Sequence, residues 1–270
     1  MPRRVLTRDE VAQPSGVPRL RGDSLTQGLV VAHTAASDFN LASGATMSRL
    51  DIATEASAAG LAGRSTGAGA QGIDTGVTIP GLTGLTVLVI AARMSPTTTF
   101  GNPPTVQAVV HTSSSNVDAN RWLLVFGNGF GPAIDKDKPR FTQDAGGAMS
   151  NQQIWIDGRL QSSTNPADES LINGRFYTVL ASADGAQGGT PIFLHGRVFT
   201  ADFCGDVRIA LALVWRRNLS DAEKRSVSAN PWQVFEPARR NRSRVRPLLS
   251  QASVIDVTAT TARPVLNVTF

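Results

Sequence analysis

The sequence has little cysteine, little charge and no long apolar run. Its single cysteine, Cys204, excludes an intramolecular disulfide framework and a multi-cysteine zinc site. No apolar run approaches the ~20 residues that span a bilayer, and residues 1–16 lack the apolar core of a secretory signal, so we predict no membrane insertion. Charged residues make up only 17% of the 270 residues. Glycine, alanine, serine and threonine are plentiful instead, which favours a β-rich protein with many turns.

Basic charge is concentrated towards the two ends of the sequence. Residues 1–25 carry five arginines against three acidic residues, and residues 236–270 carry six against two. Residues 26–235 have a net charge of −1, although the whole chain has a net charge of +5. This distribution is typical of flanking segments that dock on another surface. The candidate docking side chains are arginines: Arg3, Arg4, Arg239, Arg240, Arg242, Arg244 and Arg246.

The cluster at 239–246 suits either a nucleic acid or an acidic protein face, because phosphate contacts need little beyond positive charge. The cluster has no interleaved aromatic side chains to stack on bases. We therefore expect the partner to be a protein, and we consider nucleic acid the less favoured alternative.

Short apolar segments separated by turn signals predict an all-β fold, an antiparallel β-sandwich. The predicted strands cover 28–33, 85–94, 106–111, 121–126, 153–156, 176–182, 192–199 and 207–215, with a terminal hairpin from 254–257 and 265–270. Residues 85–94 are apolar on both faces, as expected for a central strand that is covered on both sides. From Val207 to Trp215 bulky residues recur at every second position, which predicts one well-packed face and one face of small residues. Residues 34–80 show little regular spacing of apolar residues, so no strand is predicted there.

One short helix is predicted after the last strand of the sandwich. Ser220 with Glu223 three residues later is a capping box, and Asn230-Pro231 ends the helix because the residue before proline is pushed out of the α region. The following Trp232, Val234 and Phe235 are expected to return to the core. We therefore divide the chain into an N-terminal docking arm at 1–27, a sandwich at 28–237, and a basic linker with a terminal β-hairpin at 238–270. Within the arm, residues 1–25 are expected to order only against a partner.

Four phrases together resemble a known group of proteins: GLVVA at 28–32, IWIDGRL at 154–160, GDVRIALALVW at 205–215 and NLSDAEKRSVSANPWQVFEP at 218–237. They are similar to the concanavalin-A-like, laminin-G-type jelly rolls of tailed-bacteriophage virion proteins. In that branch the last core strand runs into an LS-x-x-E helix and an NPW-Q-x-F phrase, here at 219–223 and 230–235.

The resemblance implies a jelly-roll fold and a structural protein of the phage particle. A tail fibre or related appendage subunit is the first expectation, attached to the tail or its neck at the virion surface. The implied partners are other virion proteins, sister subunits in a homotrimer, and a host-surface glycan. A head decoration or cement protein is the alternative, and a polysaccharide-degrading enzyme is a minor one.

The sequence contains only weak matches to the motifs of catalytic residues. A glycosidase needs two carboxylates across a sugar, but all five glutamates, Glu10, Glu55, Glu169, Glu223 and Glu236, are expected in arms, loops or the helix. The histidines His33, His111 and His195 lack ligand spacing and are predicted to lie in the core or at an edge. The letters GxSxG at 63–67 and GxGxxG at 67–72 are expected in a glycine-rich loop, without the strand and helix that each motif needs. We therefore predict no enzyme and no cofactor.

A structural calcium ion and one tryptophan complete the candidates. Asp135, Asp137 and Asp144 can supply oxygen ligands, but the interleaved Lys136 and Lys138 favour a solvated loop without an ion. Trp155, beside the Asp157-Gly158 hairpin turn, is expected to be exposed and is the candidate for stacking on a glycan.

Overall fold

The computed structural model describes residues 18–67, 69–79, 81, 84–95, 106–112, 122–128, 137–143, 149–164, 166–186, 191–196 and 205–236. The strands in these ranges are β1 Leu29–Thr34, β2 Ser48–Leu50, β3 Ala53–Ser57, β4 Gly60–Thr66, β5 Gly72–Thr78, β6 Gly84–Arg93, β7 Val106–Thr112, β8 Trp122–Asn128, β9 Arg140–Gln143, β10 Ser150–Ile156, β11 Arg159–Leu160, β12 Tyr177–Asp184, β13 Pro191–Leu194 and β14 Asp206–Trp215. One α-helix, α1, is Asp221–Ala229, and 3-10 turns cover Ser24–Thr26 and Pro231–Val234. None of the described helices is long and apolar enough to cross a membrane.

The described strands form two antiparallel sheets. The larger sheet has the order β11-β10-β12-β6-β14-β4-β3, and β1 also pairs with β14. The smaller sheet has the order β2-β5-β13-β7-β8-β9. This arrangement confirms the predicted all-β antiparallel sandwich with one short helix.

The core between the sheets joins apolar side chains from the facing surfaces of both. We call these surfaces the inner faces. The larger sheet contributes Val87 and Val89 from β6, and the smaller sheet contributes Trp122 and Phe126 from β8. All four side chains are fully buried, and each is worth roughly 1.5–3 kcal/mol relative to an exposed position.

A second core covers the other side of the larger sheet, which we call its outer face. Leu88 and Leu180 of the sheet pack there beneath residues of α1 and of the segment that follows it. Because both faces of the larger sheet are covered, its central strand β6 is buried at all ten positions. The prediction of a doubly covered central strand at 85–94 is thereby confirmed.

Strand β14 carries a bulge that the sequence pattern concealed. Its pairing with β6 shifts register between Ile209 and Leu211. Ile209 therefore lies in the inner core, whereas Leu211, Leu213 and Trp215 lie on the outer face. The predicted single packed face from Val207 to Trp215 is wrong, because one extra residue in a strand moves all later side chains to the opposite face.

Residues 34–80 hold four strands that the sequence pattern did not predict, β2 to β5. β3 forms the edge of the larger sheet, and its positions are exposed or half-buried, so no buried apolar alternation marks it. β4 has small residues, with Gly63 and Ser65 facing the smaller sheet. Residues 63–66 of the GxSxG letters lie in this strand, so the expected glycine-rich loop is wrong there, and a further strand rather than a helix follows.

Candidate docking site

The chain segment after β14 is fixed by a network of hydrogen bonds around Arg217 and Glu223. The Ser220 side chain accepts from the Glu223 amide at 3.4 Å, and Glu223 accepts from the Ser220 amide at 2.8 Å, which confirms the predicted capping box. The Arg217 guanidinium donates to both Glu223 oxygens, at 3.0 and 2.8 Å. Arg217 and the Ser220 cap together lower the pKa of the Glu223 carboxyl to about 2. Helix α1 is thereby anchored to the end of β14.

The phrase NPWQVF forms the 3-10 turn Pro231–Val234 and closes the outer core. Trp232, Val234 and Phe235 are buried there, and the rings of Trp232 and Phe235 are 5.9 Å apart. Helix α1 ends at Asn230, whose amide donates to the Ser226 carbonyl. The predicted end of the helix and return of the chain to the core are both confirmed.

Residues 18–27 belong to the sandwich rather than to a free arm. The Arg217 guanidinium also donates to the Gln27 carbonyl at 2.8 Å and to the Ser24 carbonyl at 2.9 Å. The Trp215 indole donates to the Leu25 carbonyl at 2.6 Å. The expectation that residues 1–25 order only against a partner is wrong for 18–25, because strand β14 and Arg217 supply partners for this backbone within the same chain.

The two ends of the described body lie side by side. Leu20 and Phe235 form an antiparallel bridge. The Arg21 amide donates to the Val234 carbonyl at 2.9 Å, and the Glu236 amide donates to the Arg19 carbonyl at 2.7 Å. The segment before residue 18 and the segment after residue 236 therefore join the sandwich at one place. We call residues 18–21 and 234–236 the paired ends.

The segment that leads to α1 lies at one end of strand β6. Gly84 starts β6 against the backbone of Asn218, in the segment that leads to α1. At the other end of the same strand, the buried Arg93 pairs with Asp137 and donates to the Leu171 carbonyl at 2.8 Å. Gly84 and Arg93 are the first and the last of the ten residues in β6, which puts them about 30 Å apart. The loops around Arg93 consequently lie far from the segment that leads to α1.

The arginines predicted to dock, at positions 3, 4, 239, 240, 242, 244 and 246, lie outside the described residues. Two further arginines belong to the paired ends themselves. Arg19 and Arg21 are exposed, and the Arg21 Nε donates to the Phe235 carbonyl at 2.9 Å. Their positive charge adjoins the place where the basic flanking segments begin.

Trp155 lies beneath α1 instead of at the surface. Its side chain belongs to the outer core and is only 4% exposed. The Arg225 guanidinium lies over the ring, 6.0 Å from its centroid, and the buried Lys224 donates to Gln153 at 2.9 Å beside it. The predicted exposure of Trp155 is wrong, because the helix covers the ring, and a sugar could stack there only if the helix moved.

One carboxylate that the sequence placed in a loop lies in a strand. Glu55 is in the edge strand β3, where it pairs with Arg208 and lies 4.0 Å from Arg64. Arg64 in turn donates to both oxygens of Asp206, at 3.2 and 3.4 Å. Each acid is thus engaged by a guanidinium, which is an arrangement for fixing strands rather than for transferring protons. Residues 55 and 206 are too far apart in sequence for any spacing rule to have paired them.

All three histidines are fully buried, which confirms the prediction of core positions. The structure brings His33 and His195 into one cluster with Ser65, whose hydroxyl lies 3.4 Å from the His195 Nδ1. Burial lowers the pKa of each of these two rings to about 3, with a further contribution from the positive charge of Arg49. Both imidazoles are neutral at pH 7.

Of the three aspartates considered as calcium ligands, the structure describes one. Asp137 is committed to its ion pair with Arg93, and the other two candidates, Asp135 and Asp144, lie outside the described residues. Within the described ranges, no three histidine, cysteine or acidic side chains form a group that could hold a metal ion.

Comparisons with known proteins add a general likeness in fold. No protein-family model matches the sequence, and no curated protein matches it. A mutant Trypanosoma rangeli sialidase with trans-sialidase activity superposes with a TM-score of 0.47 and 10% identity, over 84% of this chain and 37% of its own. Domain 4 of a GH43 extracellular arabinanase from Geobacillus stearothermophilus gives 0.41 and 12%, over 74% of this chain and 98% of its own. The binding domain of Paraclostridial Mosquitocidal Protein 1 gives 0.40 and 11%, over 76% and 52%.

These likenesses carry no argument about function, because every TM-score is below 0.5 and every identity is near one residue in ten. The chain also spans little more than a third of the sialidase chain.

Proposed function

We propose that this chain is a structural subunit of a tailed-phage particle, an appendage module without catalytic activity. In this proposal the sandwich is tethered to the particle through both flanking segments, and its surface is free to meet a host-surface glycan. The observation that carries the proposal is the pairing of residues 18–21 with 234–236, which brings both flanking segments to one place.

Two flanking segments that leave the sandwich at a single place suit attachment to a particle, and a catalytic domain has no need of such an arrangement. A sandwich held through two flanking segments resists rotation about either segment. Once one segment has bound the particle, the other binds at a high effective concentration. The phrase at 219–235 supports the phage context, since the resemblance to virion proteins is carried by the residues that cap α1 and close the outer core.

Charge supports an acidic protein surface as the attachment partner. Residues 1–21 and 236–246 carry ten arginines against three acidic residues, whereas the rest of the chain carries 16 basic and 18 acidic residues. Complementary charge of this kind steers association and weakens with added salt. The same proposal includes the assembly of this chain into a homotrimer.

The experiment is to delete 1–17, or 237–270, from the chain in a producing phage and to purify the particles. We expect each shortened protein to remain folded, because neither deletion removes a described contact of the sandwich, and to be missing from the particles. Replacing the five arginines of 239–246 by glutamine should lower the amount of this protein on the purified particles. Replacing them by lysine keeps the charge and is the matched control, which should retain the protein.

Full incorporation of either shortened protein would overturn the docking role of that segment. Protein found only on capsid faces would favour a head decoration protein. Release of sugar from host polysaccharide by the purified protein would contradict the absence of catalysis.

A further inference from the structure

The histidine cluster lies between the two sheets, away from the paired ends. His33 is on β1 of the larger sheet, in register with Ala212 of β14. His195 directly follows β13 of the smaller sheet, and its amide donates to the Val109 carbonyl at 3.1 Å. Both rings are fully buried, so the cluster connects elements of both sheets in the interior.

The ring of His195 occupies a space that strand β4 leaves for it. A Cβ on Gly63 would lie 3.0 Å from the His195 Nε2. His195 also has a φ of 69°, in the left-handed region that only a few per cent of non-glycine residues adopt. The tight fit and the unusual backbone hold the ring in this one position against the larger sheet.

The rings have few groups that would stabilise a positive charge. Both nitrogens of His33 and the Nε2 of His195 lack hydrogen-bond partners within the described part of the chain. The charged group that acts on both rings is the Arg49 guanidinium of β2, a cation, and its carboxylate partner Asp38 is largely exposed. The remaining polar neighbours are the Ser65 hydroxyl, which donates to the Gly205 carbonyl at 2.7 Å, and the Val207 backbone, whose hydrogen bond with the His195 ring only partly opposes the lowering of its pKa.

We propose that His33 and His195 form an acid-sensitive latch between the two sheets, closed when both rings are neutral and opened locally in mild acid. Protonation would place two positive charges beside Arg49 in a closed interior, so the protonated rings are accommodated only when β1 and β13 separate. This device is independent of the docking proposal.

The direction of the pH dependence follows from the lowered folded-state values. Each pKa is about 3 in the folded chain and about 6.5 when the ring is exposed. Stability from the two neutral rings is complete above pH 6.5 and is lost as the pH falls towards 3. Since opening takes up to two protons, the opening constant should rise about 60-fold between pH 6 and pH 5.

The test is amide hydrogen exchange of the full chain between pH 6 and pH 5, corrected for the intrinsic exchange rate. Peptides covering 29–34 and 191–196 should show the rise, whereas those covering 150–156 and 177–184 should stay protected. H33L or H195N alone should reduce the rise to about 8-fold, and the double variant should abolish it. Asparagine suits position 195 because it tolerates positive φ.

The third buried histidine provides the matched control. His111 stacks on Phe193 of β13 at 5.5 Å, but it is not among the groups that lower the pKa of His33 or His195, so H111Q should leave the rise unchanged. An unchanged opening constant in the native chain, a simultaneous rise in all four regions, or a rise that H111Q abolishes would each overturn the latch. If a variant fails to fold, histidine NMR of the native chain decides, because a folded-state ring that titrates near pH 6.5 would also overturn it.

Discussion

At the scale of single residues, Arg217 joins more parts of the molecule than any candidate that the sequence suggested. One guanidinium contacts the carbonyls of Ser24 and Gln27 and both oxygens of Glu223. The capping pair itself was predictable, because Ser220 and Glu223 lie three residues apart. The role of Arg217 was not, because its other partners are about 190 residues away in sequence.

We expect R217A to lower the free energy of unfolding by about 2–3 kcal/mol, because charge-assisted hydrogen bonds to Glu223 and to two carbonyls are lost together. The neighbouring R216A is the matched control, since Arg216 is exposed, and it should change stability by less than about 0.5 kcal/mol. Denaturant unfolding of the two variants measures the difference. Equal losses would contradict the role given to Arg217.

The same pair predicts how the effect of R217A depends on pH. Arg217 helps to hold the pKa of Glu223 at about 2, below its usual 4.5, so the charged carboxylate stabilises the fold above pH 4.5. This contribution is lost as the pH falls through 2. The gap in stability between the native chain and R217A should therefore narrow steadily below pH 4.5. A gap that stays constant from pH 7 to pH 3 would show that the ion pair contributes little.

At the scale of elements, sequence patterns predicted what local rules decide and missed what distant contacts decide. Helix α1 and its cap follow from residues within one turn of each other. The bulge between Ile209 and Leu211 does not, because β14 pairs with β4 at one end and β1 at the other, and alternation alone cannot show where the register shifts. β3 was missed because an exposed edge strand needs no apolar alternation.

The start of β6 offers a test of how the helix segment packs on the larger sheet. A Cβ on Gly84 would lie 2.6 Å from the Asn218 amide nitrogen, which is backbone and cannot rotate away. G84A should therefore cost about 1–3 kcal/mol or more by overpacking. G81A is the matched control, because a Cβ there meets nothing within 4 Å. Thermal unfolding of both variants measures this, and a neutral G84A would show that the two segments are not in close contact.

At the scale of the whole molecule, the central finding is that the paired ends lie side by side. Leu20 and Phe235 are 215 positions apart, so no pattern in the sequence could have shown that the two flanking segments start together. The charge distribution pointed to docking segments, and the structure adds that the sequences before and after the sandwich share one point of departure. The docking arginines themselves remain a prediction from sequence.

The most direct measurement of the central claim is a cryo-electron microscopy map of the assembled particle, at a resolution that shows the orientation of each sandwich. The account predicts that residues 18–21 and 234–236 face the particle and that density continues from both into neighbouring proteins. A sandwich attached through another surface, with its paired ends directed into solvent, would contradict it.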